Sequence, residues 1–525
     1  MSKLKKEDII RDYLKNKLNL IEEGLLLIDD EHHLKNPDGA SGFLDIYAND
    51  KKNNLVIIEL KRSDAACREA ITELSKYAAL VRRAKNVKNS EIRLLVISTD
   101  WHELRVPFSE YYHATSYQLE GYSLEVDNDL NPIRVKPISP LPQIKGRNIC
   151  RRHFVRYYKN NQDLEIAENT IVDKARKLGI DDFILAKFKL KFKDEYYGAT
   201  RVLYWAQQLK SREFYENKLK EVLDNESYED FLCYIDDFDE DDANDELADR
   251  LDDEIQVECE TCEIGHPEKL VQRLNDDLWV LDKISKYGLF NEDERLTDDL
   301  LLDDLKGLTG ASFVFYFAST RTENRSKFDE IISSLDNCLF HNDIWRQNIR
   351  DIIEYCRKKD SSSVTISIFN KDDLLETIWG ASFDDFRKWV PSFYVIIDPD
   401  SDAPVEVFEG EMVWNKKEID VDGVISDVFG NFKEYLMHRH FGSQRACDEQ
   451  LMLKMGFSYQ VNNIVFQSDN IKKMKNIRIR GKQIVELNDT DTNHFLEFIE
   501  SEPNTVNNIA SKFNRHHIGN GSFLM

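Results

Sequence analysis

Asp45, Glu59 and Lys61 are the residues whose types and spacing best suit catalysis in this chain. Phe43 to Asn49 and Leu55 to Lys61 alternate in polarity on either side of the polar tetrapeptide Lys51-Lys52-Asn53-Asn54, which is the pattern of an antiparallel hairpin. Side chains alternate along a strand, so Glu59 and Lys61 share one face while Val56, Ile58 and Leu60 take the other. Folding the hairpin about its turn sets Asp45 opposite the Glu59–Lys61 pair. Two carboxylates hold a small, hard divalent cation such as magnesium, which keeps several of its positions for water and phosphate oxygens. Such an ion lowers the pKa of a bound water and neutralises charge building on a phosphate, the chemistry of metal-assisted phosphodiester hydrolysis. A lysine two residues from a ligand carboxylate is placed to orient that water or to steady the pentavalent phosphate. Glu-x-Lys also arises by chance, and a surface ion pair involving Glu59 and Lys61 is the plain alternative.

Several elements must position these groups. After the hairpin, a helix from Cys67 to Arg83 carries Ala70, Leu74, Tyr77 and Val81 as an apolar stripe, with Glu73 and Lys76 beside it and within reach of a sheet-end site. Before the hairpin, Glu7 to Leu18 reads as an amphipathic helix with Ile10, Leu14 and Leu18 on one face, followed by a strand from Leu25 to Asp29. Arg93 to Ser98 (RLLVIS) reads as a buried strand, and Ala114 to Gln118 and Ser123 to Val126 as strands that complete the sheet. Pro132, Pro137, Pro140 and Pro142 then crowd together and mark a domain boundary.

The runs IEEGL (Ile21 to Leu25), GFLDIYAND, VIIELKR and ELSKYAALV resemble the NucS-type endonucleases of the PD-(D/E)XK nuclease superfamily, over residues 4–125. Those proteins carry a helical Glu before the sheet, an Asp in a Gly-x-x-Asp-type strand, a Glu-x-Lys strand and a Gln-Leu-x-x-Tyr helix. The resemblance implies that Asp45 and Glu59 bind Mg2+ or Mn2+, that Lys61 is the catalytic lysine and that Tyr77 is the helix tyrosine. Glu7 or Asp8 would be the amino-terminal acid. Glu73 stands where the family has glutamine, replacing a donor and acceptor with an acceptor only; with Tyr77 it would frame the scissile strand. The implied fold is α/β and multidomain: an amino-terminal restriction-endonuclease-like mixed sheet flanked by helices, then helix-rich and α/β regions.

Composition bounds the rest. A chain of 525 residues with 41% hydrophobic residues has room for two to four domains. Only 11 Pro and 20 Gly argue for helix-rich architecture with few long linkers. No apolar run approaches the roughly 20 residues of a membrane span, and the opening MSKLKKEDII lacks the apolar core of a secretory signal. The eight cysteines suit reduced thiols, and a cytoplasmic location is expected. A formal charge of −26 works against non-specific binding to phosphate backbones. Screening limits exposed charges to about 8 Å, so local positive surfaces decide the matter.

The expected division is a nuclease-like domain over 1–140, a basic helical and strand region over 141–234, an acidic connector over 235–256 and an α/β accessory domain over 257–525. In the basic region, Lys145, Arg147, Arg151, Arg152, His153, Arg156, Tyr157, Tyr158 and Lys159 suit phosphate contacts with base stacking, or a solvated helix face. Lys187, Lys189, Lys191 and Lys193 suit a lysine-guarded edge strand or a DNA-backbone track. Ile235 to Glu254 holds twelve carboxylates and one arginine and reads as a solvated connector, with a phosphate mimic or partner-binding tail as sharper alternatives. Cys259, Cys262 and His266 offer three of the four ligands of a structural zinc site. From Leu300 onward, strands at Ala311 to Ser319, Ser363 to Phe369 and Ser392 to Asp398 alternate with helices around Phe328 to Leu339 and Ile344 to Arg357, suggesting a mixed or parallel sheet. No glycine-rich phosphate loop is present. Asp398 and Asp400 read as a turn, and His438-Arg439-His440 as surface. The end, His494 to Ser522, suits either two packing helices or a helix-turn-helix in which Ile509 and Ala510 pack and Arg515, His516 and His517 lead the recognition element.

The expected function is that of a metal-dependent endonuclease acting on DNA, in repair or anti-phage defence. The alternatives are a catalytically silent DNA-binding or assembly protein on a nuclease fold, and an RNA nuclease. The expected partners are DNA, further copies of the chain and a protein bound through the C-terminal region.

Overall fold

A computed structural model describes residues 6–515 except 37, 38, 40, 63, 142–145, 193–197, 239, 276, 277, 341, 372, 384–388, 442–444, 468, 469, 481, 482 and 488–490. The chain divides into two compact units, Met1–Gly146 and Arg147–Met525. Among the described residues, no helix is long and apolar enough to cross a membrane.

The first unit is a six-stranded mixed sheet in chain order: β1 (Leu26–Leu34), β2 (Gly42–Asn49), β3 (Leu55–Lys61), β4 (Ile92–Ser98), β5 (Gln118–Val126) and β6 (Pro132–Ile138). The β3–β4 and β4–β5 pairs are parallel and the others antiparallel. The two central strands are near-continuous aliphatic runs because both of their faces are covered. On one face, Ile57, Leu94 and Val96 pack with Leu74, Tyr77 and Val81 of α2 (Asp64–Ala84) and with Phe108 of α3 (Arg105–Ala114). On the other, Ile58, Leu60, Leu95 and Ile97 pack with Ile10 and Leu14 of α1 (Lys6–Leu14) and with Leu18 just beyond it. The strand expected over Ala114 to Gln118 is instead the end of α3 and the approach to β5. Pro132 and Pro137, read with Pro140 and Pro142 as marking a domain boundary, lie in β6, an edge strand whose outer side needs no amide donors.

The second unit holds a five-stranded antiparallel sheet in the order β10-β7-β9-β8-β11, built from β7 (His153–Tyr158), β8 (Phe183–Leu190), β9 (Arg201–Gln207), β10 (Thr261–Gly265) and β11 (Trp279–Lys286). Of its helices, α4 (Asn161–Leu178), α5 (Arg212–Val222) and α6 (Asn225–Ile235) precede the acidic block. That block is no connector. Residues Glu240–Asp252 form α7, which buries Ala243, Leu247, Ala248 and Leu251, three of them in a core with Leu203 and Trp205 of β9 and Tyr215 and Leu219 of α5. The helix presents its acids to the basic run: Arg152 pairs with Glu246 and, at 3.4 Å, with Asp249, while the Arg151 amide donates to Asp245.

Further along, β12 (Phe315–Arg321), β13 (Ser362–Phe369), β14 (Ser392–Pro399), β15 (Val405–Trp414), β16 (Phe457–Gln467) and β17 (Asn470–Met474) lie side by side in order. Every pairing among them is antiparallel, against the expected mixed or parallel sheet. Two helices, Arg325–Cys338 and Asp343–Cys356, separate β12 from β13, and a paired excursion returns the chain to the end it left. The terminal helices Phe495–Ser501 and Pro503–Arg515 pack through their apolar faces. Phe495, Phe498, Val506, Ile509 and Phe513 are buried, and Phe513 stacks on Trp379 with centroids 4.6 Å apart. Arg515 is exposed, and His516 and His517 lie outside the described residues.

Arg439 is not a surface residue. Its side chain pairs with Glu376 and, at 3.6 Å, with Asp373, while Lys371 meets Glu376 at 2.9 Å and the Tyr435 hydroxyl donates to Asp373. This buried polar group sits beside the aromatic core and needs each partner, because a buried charge left alone is strongly destabilising.

Asp252 on α7 yields a pH test. It is buried, accepting from Trp205 Nε1 at 3.0 Å and Gln207 Nε2 at 2.8 Å, and burial pushes its pKa up to about 7 from an ordinary 3.8. A raised acid binds more protons folded than unfolded, so its contribution is present in full below about pH 4 and is lost as pH rises through about 7. Asp252→Asn cannot ionise, and its stability relative to wild type is expected to rise across that window. Urea denaturation at both ends of the window checks this; parallel stability profiles for the two proteins would refute it.

Candidate active site

The site begins where a ladder ends. β2 and β3 pair from Asn49 with Leu55 to Ile46 with Ile58, and no further. The next free donor of β3, the Leu60 amide, goes instead to Asp45 Oδ2 at 2.8 Å. Meanwhile β2 stays with β1 as far as Gly42 opposite Leu34. The two strands therefore fork, and a carboxylate in the fork takes the place of a backbone carbonyl.

Glu59 and Lys61 project beside this fork toward α2. Lys61 Nζ lies 2.6 Å from Glu59 Oε1 and 2.5 Å from Glu73 Oε2, so the ammonium is held between a strand acid and a helix acid. Helical spacing puts Lys76 one turn beyond Glu73, where its Nζ donates to the Ser41 carbonyl at 3.1 Å. Tyr77 fills the space that Gly42 leaves open: a Cβ on that glycine would stand 2.4 Å from Tyr77 Cε1. Asp45, Glu59, Lys61, Glu73 and Tyr77 thus converge on one place. Of the amino-terminal acids, Asp8 reaches it through Arg11, whose guanidinium lies 3.2 Å from Asp8 and 3.7 Å from Asp45 Oδ1.

Burial dominates the electrostatics. It raises Asp45, against the pull of the Leu60 amide and of Lys61 and Arg11. Burial and then the like charge of Asp45 push Glu59 well up, with Lys61 acting the other way. For Lys61, burial alone would lower the pKa, yet Glu59 and Glu73 outweigh it and keep the ammonium charged. Glu73 is lowered: burial works to raise it, and hydrogen bonding with Glu59 and Lys61 wins. Burial and then the charges of Glu59, Glu73 and Asp45 raise Tyr77.

These groups fit a hard divalent ion. Glu59 Oε2 is buried and accepts no hydrogen bond, and Asp45 Oδ1 faces Arg11 at a distance beyond hydrogen bonding. Both are carboxylate oxygens of the kind Mg2+ and Mn2+ take. Among the described residues, no three His, Cys, Asp or Glu side chains are placed to hold one metal ion together, so this pair would leave most of the ion's positions to water and substrate. His266, which with Cys259 and Cys262 offers only three of the four ligands of a zinc site, bonds Glu268 at 2.8 Å.

The expected basic tracks are internally paired. Arg147 meets Asp304 at 2.6 Å, Arg151 meets Glu268 at 3.2 Å and Lys159 meets Glu260 at 3.0 Å, while His153 and Tyr158 are buried. β8 is not an edge, because β11 covers its outer side. Lys187 pairs with Glu168 at 2.7 Å and Lys189 with Asp282 at 2.5 Å; Lys145 and Lys193 lie outside the described residues. Arg11 was missed by the sequence reading. Its spacing from Asp8 marks a helical pair, but nothing local signals that α1 packs across the fork.

Residues 6–100 match the family model of the endonuclease NucS C-terminal domain. The matched span contains every residue of this site, and the amino-terminal likeness to NucS-type endonucleases is thereby borne out. Neither a curated protein nor a solved structure matches the chain.

The fit of Tyr77 against Gly42 is testable. Gly42→Ala is expected to displace the ring and destabilise the first unit by about 1–3 kcal/mol, read as a lower midpoint in denaturant. An unchanged midpoint would show that the close approach relaxes freely.

Proposed function

We propose that the first unit is a metal-dependent endonuclease domain of the PD-(D/E)XK type, acting on DNA. The observation that carries this reading is the meeting of Asp45, Glu59 and Lys61 at the strand fork, within the span matched to the NucS C-terminal domain. Asp45 and Glu59 would hold Mg2+ or Mn2+. Such an ion, when bound, acidifies a water and offsets charge on the phosphate.

The chain's own residues do the rest. Lys61 keeps its proton and offers N–H donors, to orient the attacking water or to stabilise charge on the phosphate oxygens. Glu73 anchors the lysine from the far side, and with Tyr77 it forms the wall along which the scissile strand lies. The family's glutamine would hold this lysine as a neutral acceptor; a carboxylate holds it more firmly.

Charge distribution supports a nucleic-acid substrate. The 22 lysines and arginines of residues 1–146 nearly balance their 23 aspartates and glutamates, so the formal charge of −26 belongs almost wholly to the rest of the chain. The second unit would serve to position substrate, assemble copies or bind a protein partner. Such an arrangement suits DNA repair or defence against foreign DNA.

Plasmid DNA incubated with Mn2+ should be cut by the wild-type protein and about 100-fold or more slowly by Lys61→Ala and Asp45→Asn. Equal behaviour of all three proteins would instead favour a silent DNA clamp. Labelled single-stranded RNA offered alongside identifies an RNA nuclease if it is the substrate consumed.

A further inference from the structure

We propose that Arg11 is an anion-binding residue of the candidate nuclease site, one that competes with a divalent ion for Asp45 and gives its charge to a DNA phosphate. The inference rests on the nuclease reading above and extends it to a residue outside the motifs that carry the family resemblance.

Arg11 comes from α1, on the sheet face opposite α2, yet it reaches the fork. Its side chain is only 12% exposed, and its guanidinium meets Glu31 at 2.9 Å and Asp8 at 3.2 Å while facing Asp45 Oδ1 at 3.7 Å. The last distance gives attraction without a hydrogen bond. Arg11 Nε is buried with no acceptor. The atom that faces Asp45 Oδ1 is Nη1, which lies near that carboxylate without bonding it.

Glu31 adds a second observation. The pairs Asp30 with Ile46 and His32 with Leu44 set Glu31 opposite Asp45 in register. Its φ is +50°, a region disfavoured for any residue with a Cβ, in the middle of a strand. The carboxylate that pairs with Arg11 is therefore held there at some backbone strain. Its side chain is 61% exposed, so this ion pair is a weak one that a phosphate can replace. A guanidinium is also suited to bidentate contact with phosphate oxygens.

Competition for Asp45 makes a signed prediction. A positive charge near a ligand carboxylate opposes a metal cation and favours a phosphate. Removing it must therefore shift the two affinities in opposite directions, whereas loss of a structural fastening weakens both.

The test uses the full chain. Mn2+ binding without DNA is measured by calorimetry for wild type, Arg11→Met, Arg11→Lys and Asp45→Asn. Binding of a labelled duplex is measured over a salt series in a Lys61→Ala background, which keeps the DNA intact, and thermal melts confirm folding. Arg11→Met is expected to bind Mn2+ about three- to tenfold tighter. It should bind the duplex about three- to tenfold more weakly, with the log–log salt slope reduced by about one. Arg11→Lys, which keeps the charge but not the fork, should match wild type for Mn2+ and lose about two- to fivefold for the duplex. Both affinities falling in Arg11→Met, or neither changing, would overturn the proposal. Should Arg11→Met fail to fold, unchanged duplex binding by Arg11→Lys overturns it instead. If Asp45→Asn binds Mn2+ like wild type, the nuclease reading itself fails; if Asp45→Asn loses Mn2+ while Arg11→Met changes nothing, only the role of Arg11 is lost.

Discussion

The Leu60 amide donating to Asp45 is the interaction on which the site depends. A continued β2–β3 ladder would give that amide to a backbone carbonyl and close β2 against β3, leaving no gap in which a carboxylate meets Glu59. With the carboxylate in the ladder's place, the donor is still satisfied and the strands part. Gly42 then comes under α2, Tyr77 fills the room it leaves, and Lys61 spans the distance between a strand acid and a helix acid. The arrangement gathers three acids in a half-buried space where burial pushes Asp45 and Glu59 above the ordinary carboxylate range. Only the nearby cations make such crowding tolerable, and relieving it is what a divalent ion would do on binding.

The same principle, applied to different ends, organises the rest of the chain. Arg93 is buried among Glu22, Asp50 and Glu120, Arg151 is paired with Glu268, and Arg439 with Glu376 and Asp373. In each case a guanidinium crosses between elements far apart in sequence and is met by carboxylates on more than one of them, or by a carboxylate with further donors. Buried ion pairs add little net stability over apolar packing, but a mismatched one is penalised heavily.

Much of the amino-terminal site was legible in the sequence because it is local. Period-two alternation, a polar turn and a following helical stripe suffice to bring Asp45, Glu59 and Lys61 to one end of a sheet with Glu73 in reach, whereas the spacing of Tyr77 reads as core packing and its place at the site is implied by the family resemblance. Arg11 and Glu31 were not legible, since one acts through packing on the opposite face and the other through a left-handed backbone angle at a residue that does not advertise it. The acidic block misled for a different reason. Twelve carboxylates dominate its composition, while the stripe Ala243, Leu247, Ala248 and Leu251 that seats α7 is short and half of it is alanine. The lysine strand was read correctly as a strand and wrongly as an edge, because β11, which covers it, lies some ninety positions downstream. Where contacts are non-local, composition describes the surface a segment would have alone rather than the one it has when packed.

The separation of charge between the two units bears on how DNA is approached. A chain at −26 is repelled by phosphate at long range, but at physiological salt that repulsion fades over about 8 Å. The amino-terminal unit, taken by itself, is near neutral. There Lys61 and Arg11 are the cations that bear on Asp45, and both are already partnered by carboxylates. On the proposed nuclease reading, binding would exchange protein acids for phosphate oxygens rather than fill an open positive groove. Exchange of this kind would keep non-specific affinity low, since a phosphate gains only the difference between two similar pairings.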